Sequence, residues 1–510
     1  MSSHVQAIIS SGNSGTIVDI ECHLSNNLPN IIIVGSASKA VDESRERIRG
    51  AFATSHIMLP RKRVTINLAP ADVPKADSSF DLAIAVAILL SNGQVNSPLY
   101  SKGAFIGELG LGGDVRAVRG IIGKILVGRS KGLTTFYIPT DNLKQAQLIP
   151  QITLIPIGNL SQLYGHLNQS LPLQIIKTGA GRYQPALAGP ANLPRLSEVV
   201  GQEQAKRALE IAAAGGHNVF FNGPPGTGKS MLAKALPSIL PPLNREEMLE
   251  VTHLHSLASQ DYEQIITKRP FRSPHHSASY VAITGGGAGL LPGELSLAHR
   301  GVLFFDELPE FGHDTLEALR QPLEDRQISI SRARGRADYP ANFIFIATGN
   351  PCPCGYHGTS KACDCTDSDI SRYANRLSGP IIDRIELHTS VHNIDHEKLL
   401  TQEPDPSADE RLRQSIINAR MLQAKRFNDP SKLNTDMTND DIKQLALLGR
   451  AAAIRLNGAA GVLKLSARAY MRTIKVARTI ADLADSDIIL EEHLTEAINL
   501  RYRPSKDPRK

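Results

Sequence analysis

The sequence predicts an α/β protein in three regions: an N-terminal α+β region, a central phosphate-binding α/β region on a parallel sheet, and a C-terminal helical region. Three observations predict it. Residues Gly223-Pro224-Pro225-Gly226-Thr227-Gly228-Lys229-Ser230 match the phosphate-loop pattern G-x-x-x-x-G-K-[ST]. Apolar, strand-like runs alternate with helical stretches from about Arg195 to His396, as a parallel sheet requires. Beyond the Glu403-Pro404-Asp405-Pro406 break the pattern is helical, with Tyr470, Ile474, Ala477 and Ala481 lining one face.

In chain order, residues 1–168 form the first region. Asn30–Val34 and Val64–Leu68 read as buried strands and Asp81–Leu90 as a buried helix. Residues 169–194 carry Pro172, Gly179, Gly181, Pro185, Gly189, Pro190 and Pro194, a linker signature. The central region is expected over 195–396, with a Cys-rich insertion at 352–365, and the helical region over 397–510. The apolar fraction of 41% and the charged fraction of 21% suit globular cores. A net charge of +6 permits a nucleic-acid partner without requiring one. Leu82–Leu90 is too short to span a bilayer and no secretory leader is visible, so no membrane partner is expected. The expected location is the cytoplasm, where thiols stay reduced.

The phosphate loop follows a strand-like run, Asn218–Asn222, and opens a helix at Met231–Leu236. Its glycines let backbone N–H groups close around phosphate oxygens at a helix N-terminus. Lys229 would reach the β- and γ-phosphates and Ser230 would ligate Mg²⁺, so ATP with Mg²⁺ is the expected ligand. Gly301–Glu307 is an apolar strand ending in two carboxylates. Asp306 can hold Mg²⁺ through water, and Glu307 can polarise the attacking water. Phe343–Asn350 is a second apolar strand; Asn350 could bond the γ-phosphate or the attacking water, or simply open a turn.

This set resembles the AAA+ superfamily, with segment 397–510 as its helical lid. Val200–Leu209, Pro274–Ser277, Pro292–Ala298, Asn350–Gly355 and Ser378–Arg384 are similar to the magnesium-chelatase-like branch. With the N-terminal region included, nearly the whole chain resembles the ComM/YifB competence family. The resemblance implies a homo-hexameric, ATP-driven helicase that migrates single-stranded and branched DNA during natural transformation. A recombinase filament is a further partner compatible with that role. It also implies that Arg384 is an arginine finger reaching a neighbour's γ-phosphate, with Arg376 and Arg372 as rivals. Arg468, in Leu465–Tyr470, would touch the bound nucleotide's own γ-phosphate from the lid.

Gln327–Arg336 alternates like a strand entering a turn at Arg334-Gly335, which clusters Arg332, Arg334 and Arg336 near a hairpin tip. In related AAA+ helicases a hairpin here projects into the ring's pore, where guanidinium groups would grip phosphates without reading sequence. A solvated edge hairpin is the plain alternative. Gly285–Gly289 is a candidate tip of a second pore loop, or a plain flexible loop.

Cys352, Cys354, Cys363 and Cys365 form two C-x-C pairs. Four thiolates can close a structural zinc site; reduced free thiols and regulated disulfides are the alternatives. Cys22 is isolated, and His275 and His276 read as structural.

The N-terminal region resembles the Lon-protease proteolytic fold. Ser79, in Pro74–Leu82, occupies the nucleophile's position and Ile122 the partner lysine's. Isoleucine cannot take a proton, and Lys124, two residues on, is expected on another helix face. Ser79 then reads as a structural or capping serine, and the domain as an inert platform shaping the ring and its channel. The rival functions are an ATP-dependent protease or unfoldase, a chelatase-like chaperone, and a DNA-binding scaffold that uses ATP only to assemble.

Overall fold

The computed structural model describes residues 3–11, 14–35, 39–71, 75, 77–95, 103–179, 193–259, 261–287, 289–332, 335–359, 361–376, 379–394, 405 and 407–501. The chain divides into two compact units. One comprises Met1–Pro185, Asn244–Ile266 and Ser331–Tyr339, and the other the remainder.

The first unit holds β1 (Ser3–Ser11), β2 (Ser14–Ser25), β3 (Asn30–Val34), β4 (Arg63–Ala69), β5 (Gly103–Phe105), β6 (Glu108–Leu109), β7 (Val115–Arg116), β8 (Thr135–Pro139), β9 (Thr153–Ile157) and β10 (Ile176–Lys177). Eight of these form one mixed sheet in the order β10-β9-β8-β5-β1-β2-β4-β3, while β6 pairs with β7. The expected strands at Asn30–Val34 and Val64–Leu68 are β3 and β4, paired in parallel. The expected buried helix spans Asp81–Ser91 and is buried from Asp81 to Leu89, because its apolar residues leave no polar face.

Asn244–Ile266, inside the span expected for the central region, clusters with this first unit. Asn244 and Glu247 form a reciprocal cap that starts the Arg245–Ala258 helix. Arg245 Nε donates to Leu148 O at 2.7 Å. Gln145 Nε2 donates to Tyr262 O at 2.8 Å and to Gln264 O at 3.0 Å. The His253 ring lies so close to Gly123 that an added Cβ would sit 2.3 Å from its Cε1.

The second unit is built on a parallel five-stranded sheet ordered β12-β15-β18-β11-β19. The remaining strands in chain order are β11 (Val219–Asn222), β12 (Phe271–Arg272), β13 (Gly285–Gly286), β14 (Leu291–Pro292), β15 (Val302–Phe305), β16 (Gln327–Arg332), β17 (Gly335–Pro340), β18 (Ile344–Gly349) and β19 (Leu387–Ser390); of these, Ser331–Tyr339 in β16–β17 is counted with the first unit. β13–β14 and β16–β17 are separate two-stranded sheets. Every residue of β15 and β18 is buried, as expected for strands covered on both faces. Helices Ala408–Phe427, Asn439–Leu445, Arg450–Leu463, Ala467–Leu483 and Glu491–Asn499 follow, and all five contribute to one apolar core with β11. On Ala467–Leu483, Ile474, Ala477 and Ala481 are buried and Tyr470 packs against them, as the periodicity predicts. Among the described residues, no helix is long and apolar enough to cross a membrane.

Candidate nucleotide site and cysteine cluster

Lys229 is the first residue of the Lys229–Ile239 helix, preceded by Gly228 at φ 87°. Gly226 has φ 83°, and both positions need glycine for backbone conformation rather than space. Lys229 Nζ donates to Gly223 O at 2.5 Å, Pro224 O at 2.8 Å and Asn350 Oδ1 at 3.1 Å. Burial depresses the Lys229 pKa against the opposing pull of Asp306 and Glu307. A phosphate anion would offset that desolvation, so the loop fits a nucleotide's phosphates on the chemistry of its own groups.

Ser230 Oγ donates to Asp306 Oδ2 at 2.9 Å, bringing the two expected Mg²⁺-binding groups together. Thr348 Oγ1 donates to Asp306 Oδ1 at 2.6 Å and accepts the Glu307 N–H at 2.9 Å. Glu307 itself is exposed and adopts φ 54°, a left-handed conformation that a non-glycine residue reaches only under local constraint. Lys229, Ser230, Asp306, Glu307 and Asn350 thus gather at the carboxyl ends of β11, β15 and β18, where open α/β sheets bind ligands.

The sulfur of Cys352 lies 3.3 Å from that of Cys354 and 3.7 Å from that of Cys363, and Cys354 lies 3.5 Å from Cys363. With Cys365 included, all four sulfurs fall within 4.8 Å of one another. Zinc–sulfur bonds near 2.3 Å place tetrahedral sulfurs about 3.8 Å apart, so the cluster fits a zinc ion. The Cys354 thiol is drawn down to about 6, first by the Tyr356 backbone N–H and then by the neighbouring sulfurs. Cys365 is pushed up to about 12: the Cys354 N–H pulls the other way, but desolvation and the Cys354 and Cys352 sulfurs prevail. A dication would remove that conflict between crowded thiolates. Gly355, at φ 85°, fixes this loop against the phosphate loop: an added Cβ would sit 2.7 Å from Pro225 Cδ.

Arg384 lies at the other edge of the sheet. Its carbonyl accepts from Asn218 Nδ2 at 3.0 Å, just before β11 begins. Asn218–Asn222 advances about 3.3 Å per residue, so its four steps put roughly 13 Å between the two edges. Arg384 Nη2 meets Glu324 Oε2 at 2.8 Å, and Arg468 Nη1 meets Glu324 Oε1 at 3.2 Å. Arg468, expected near its own chain's γ-phosphate, is tied to Arg384 through the shared Glu324 carboxylate. Arg472 fixes that end of its helix there, donating to Asp383 O at 2.7 Å and pairing with Glu386 at 3.1 Å.

The other expectations fall as follows. Arg376 pairs with Glu310 at 3.2 Å and Arg372 with Asp369 at 3.8 Å, both on the surface. Arg332 belongs to β16, Arg336 is exposed and pairs with Asp338 at 3.1 Å, and Arg334 lies outside the described residues. His275 and His276 are exposed, with ring centroids 4.0 Å apart. Gly285 lets two backbone segments meet closely: an added Cβ would sit 2.6 Å from Leu291 O.

In the first unit, Lys124 is not turned away from the Ser79 segment. It is buried and ion-paired with Asp77, whose Oδ1 accepts the Ser79 N–H at 2.9 Å. Burial would raise the Asp77 pKa, yet the Lys124 charge holds it low. The capping residue here is Asp77 and not Ser79.

The sequence reading passed over Thr348, Glu324 and the Gly355–Pro225 contact. Thr348 belongs to the Phe343–Asn350 strand, but its hydroxyl partners come from the end of a neighbouring strand and carry no local signal.

Residues 195–399 match the model for magnesium chelatase subunit ChlI, residues 20–142 match a second ChlI model, and residues 407–501 match the ChlI C-terminal model. The protein YifB of Escherichia coli is 41% identical over 502 residues, covering 98% of this chain and 96% of that protein. Competence protein ComM of Haemophilus influenzae is 40% identical over 498 residues, with 96% of each chain covered. The magnesium-chelatase 38 kDa subunit of Rhodobacter capsulatus is 25% identical over 357 residues, 65% of this chain and 94% of that one. The matches and the site geometry together show that the chain belongs to the YifB/ComM family of magnesium-chelatase-like AAA+ proteins.

Proposed function

We propose that this chain is an ATP-hydrolysing, ring-forming motor that acts on single-stranded and branched DNA during recombination in natural transformation. One observation carries the ring: Lys229, Ser230, Asp306, Glu307 and Asn350 occupy one sheet edge, and Arg384 with Arg468 the opposite edge. Phosphoryl transfer needs compensation of charge on both sides of the transferred group. Copies packed head to tail around a closed ring supply it, each edge facing the other in the next copy. Six copies follow from the family resemblance.

In this reading Lys229 holds the β- and γ-phosphates, and Ser230 and Asp306 hold Mg²⁺, which neutralises charge between the phosphates. Glu307 orients the attacking water, Asn350 bonds the γ-phosphate, and Arg384 reaches from the neighbour. The cysteine cluster holds structural zinc. The DNA part is supported by the competence relative's name and by the arginines of the β16–β17 hairpin. The N-terminal unit serves as a non-proteolytic platform, supported by Asp77 engaging Lys124 beside Ser79.

The test is a three-stranded branch-migration assay with ATPase measured in parallel, on wild type and Glu307→Gln. We expect DNA-stimulated hydrolysis and strand exchange in wild type, with both lost in the variant. Strand exchange undiminished in Glu307→Gln would overturn the motor. The likeness to the magnesium-chelatase 38 kDa subunit favours a second reading, ATP-driven protein remodelling. Hydrolysis stimulated by a protein client and indifferent to DNA would select it.

A further inference from the structure

Glu324 stands on the short Arg320–Asp325 helix and carries no known motif. Its two carboxylate oxygens are divided between two arginines from distant parts of the chain, Arg384 at 2.8 Å and Arg468 at 3.2 Å. The Arg384 side chain is only 8% exposed, so its charge needs a fixed counter-charge. Arg468 is 66% exposed and would otherwise sweep freely through solvent. Two guanidinium groups this close repel one another unless an anion lies between them. Glu324 is that anion, and the geometry it imposes, one donor on each of two oxygens, is also how a terminal phosphate is held from two sides.

We propose that Glu324 is a positioning residue: it sets the spacing of Arg384 and Arg468 as a two-armed clamp and yields that clamp to the γ-phosphate of the adjoining copy. This rests on the ring-ATPase reading above. Glu324 touches no reacting atom; it acts through the two arginines. Arg472, anchored on Glu386 and Asp383, keeps the helix bearing Arg468 in place when the clamp changes partner.

The experiment is steady-state ATPase of the full chain under assembling conditions, for wild type, Glu324→Gln, Glu324→Asp, Arg384→Ala and the Glu324→Gln/Arg384→Ala double variant, each with its Tm. Glu324→Gln should lower kcat about tenfold with KM for ATP changed less than about twofold, because nucleotide binds at the other sheet edge. Glu324→Asp, which keeps the charge, should recover part of the loss. In the Arg384→Ala background Glu324→Gln should add less than about twofold, since the clamp is already broken. A purely structural Glu324 would instead cost the same factor in both backgrounds and lower Tm in step. Wild-type kcat in Glu324→Gln, or an undiminished tenfold loss in the double variant, would overturn the clamp alone. Absence of hydrolysis by wild type would sink the parent reading and the clamp with it.

Discussion

The Thr348 hydroxyl donates to Asp306 Oδ1 at 2.6 Å while accepting the Glu307 N–H at 2.9 Å, so one buried side chain on β18 holds the Asp306 carboxylate and the Glu307 backbone at the end of β15. Thr348→Val keeps the shape and removes both bonds. A hydrogen bond to a charged group is worth about 1.5–3 kcal/mol, so kcat should fall roughly 10- to 100-fold. Steady-state ATPase with a Mg²⁺ titration checks it; a variant indistinguishable from wild type would show that Asp306 and Glu307 need no such support.

The cysteine cluster makes a prediction about composition. Elemental analysis of reduced, purified protein should find about one zinc per chain, and Cys363→Ser should lose it. Because Gly355 packs on Pro225, metal loss should also weaken nucleotide binding, read as a higher Kd for a fluorescent ATP analogue. Gly355→Ala should raise that Kd with zinc retained, since its Cβ would collide with the phosphate loop.

How much of this was legible in the chain itself varies with how local the signal is. Gly223–Ser230, Asp306 and Glu307 were readable because each motif is contiguous and its strand or helix is announced by its neighbours. The buried Asp81–Ser91 helix was readable for the same reason. Lys124 was misjudged because a helix-face argument counts residues along one helix and does not know that Asp77 waits opposite. The Arg468–Glu324 pairing was not readable, because family order says which helix carries Arg468 but not which side chains that helix meets. Glu324 was invisible, since only tertiary contact with two distant arginines distinguishes it from other surface glutamates.

A pH dependence follows from His217, fully buried with Nε2 2.8 Å from Thr479 Oγ1. Burial pushes its pKa down from 6.5 to about 4. The unfolded chain therefore binds a proton between those values that the folded chain refuses, so stability is complete above pH 6.5 and declines towards pH 4. The contribution is on the order of 3 kcal/mol. Thermal melts between pH 7.5 and 4.5 should show the decline, and His217→Gln should make it shallower, the remainder coming from other buried histidines such as His388, which burial pushes down to about 3. A variant with the wild-type pH profile would place the titration elsewhere.

Replacing Arg332 and Arg336 by Ala should weaken single-stranded DNA binding equally across sequences and reduce the slope of log Kd against log salt. Fluorescence anisotropy at several salt concentrations measures it. An unchanged slope would remove the β16–β17 hairpin from the DNA path.

The Arg245–Ala258 helix interrupts the AAA+ stretch yet hides Met248, Leu249, Val251 and Leu254 while clustering with the N-terminal residues. Anyone trimming the chain at residue 194 to isolate a minimal motor would leave that helix with its greasy side stripped of cover. Such a fragment should clump or melt early for reasons unrelated to catalysis, and its silence in an assay would say nothing about the enzyme it was cut from.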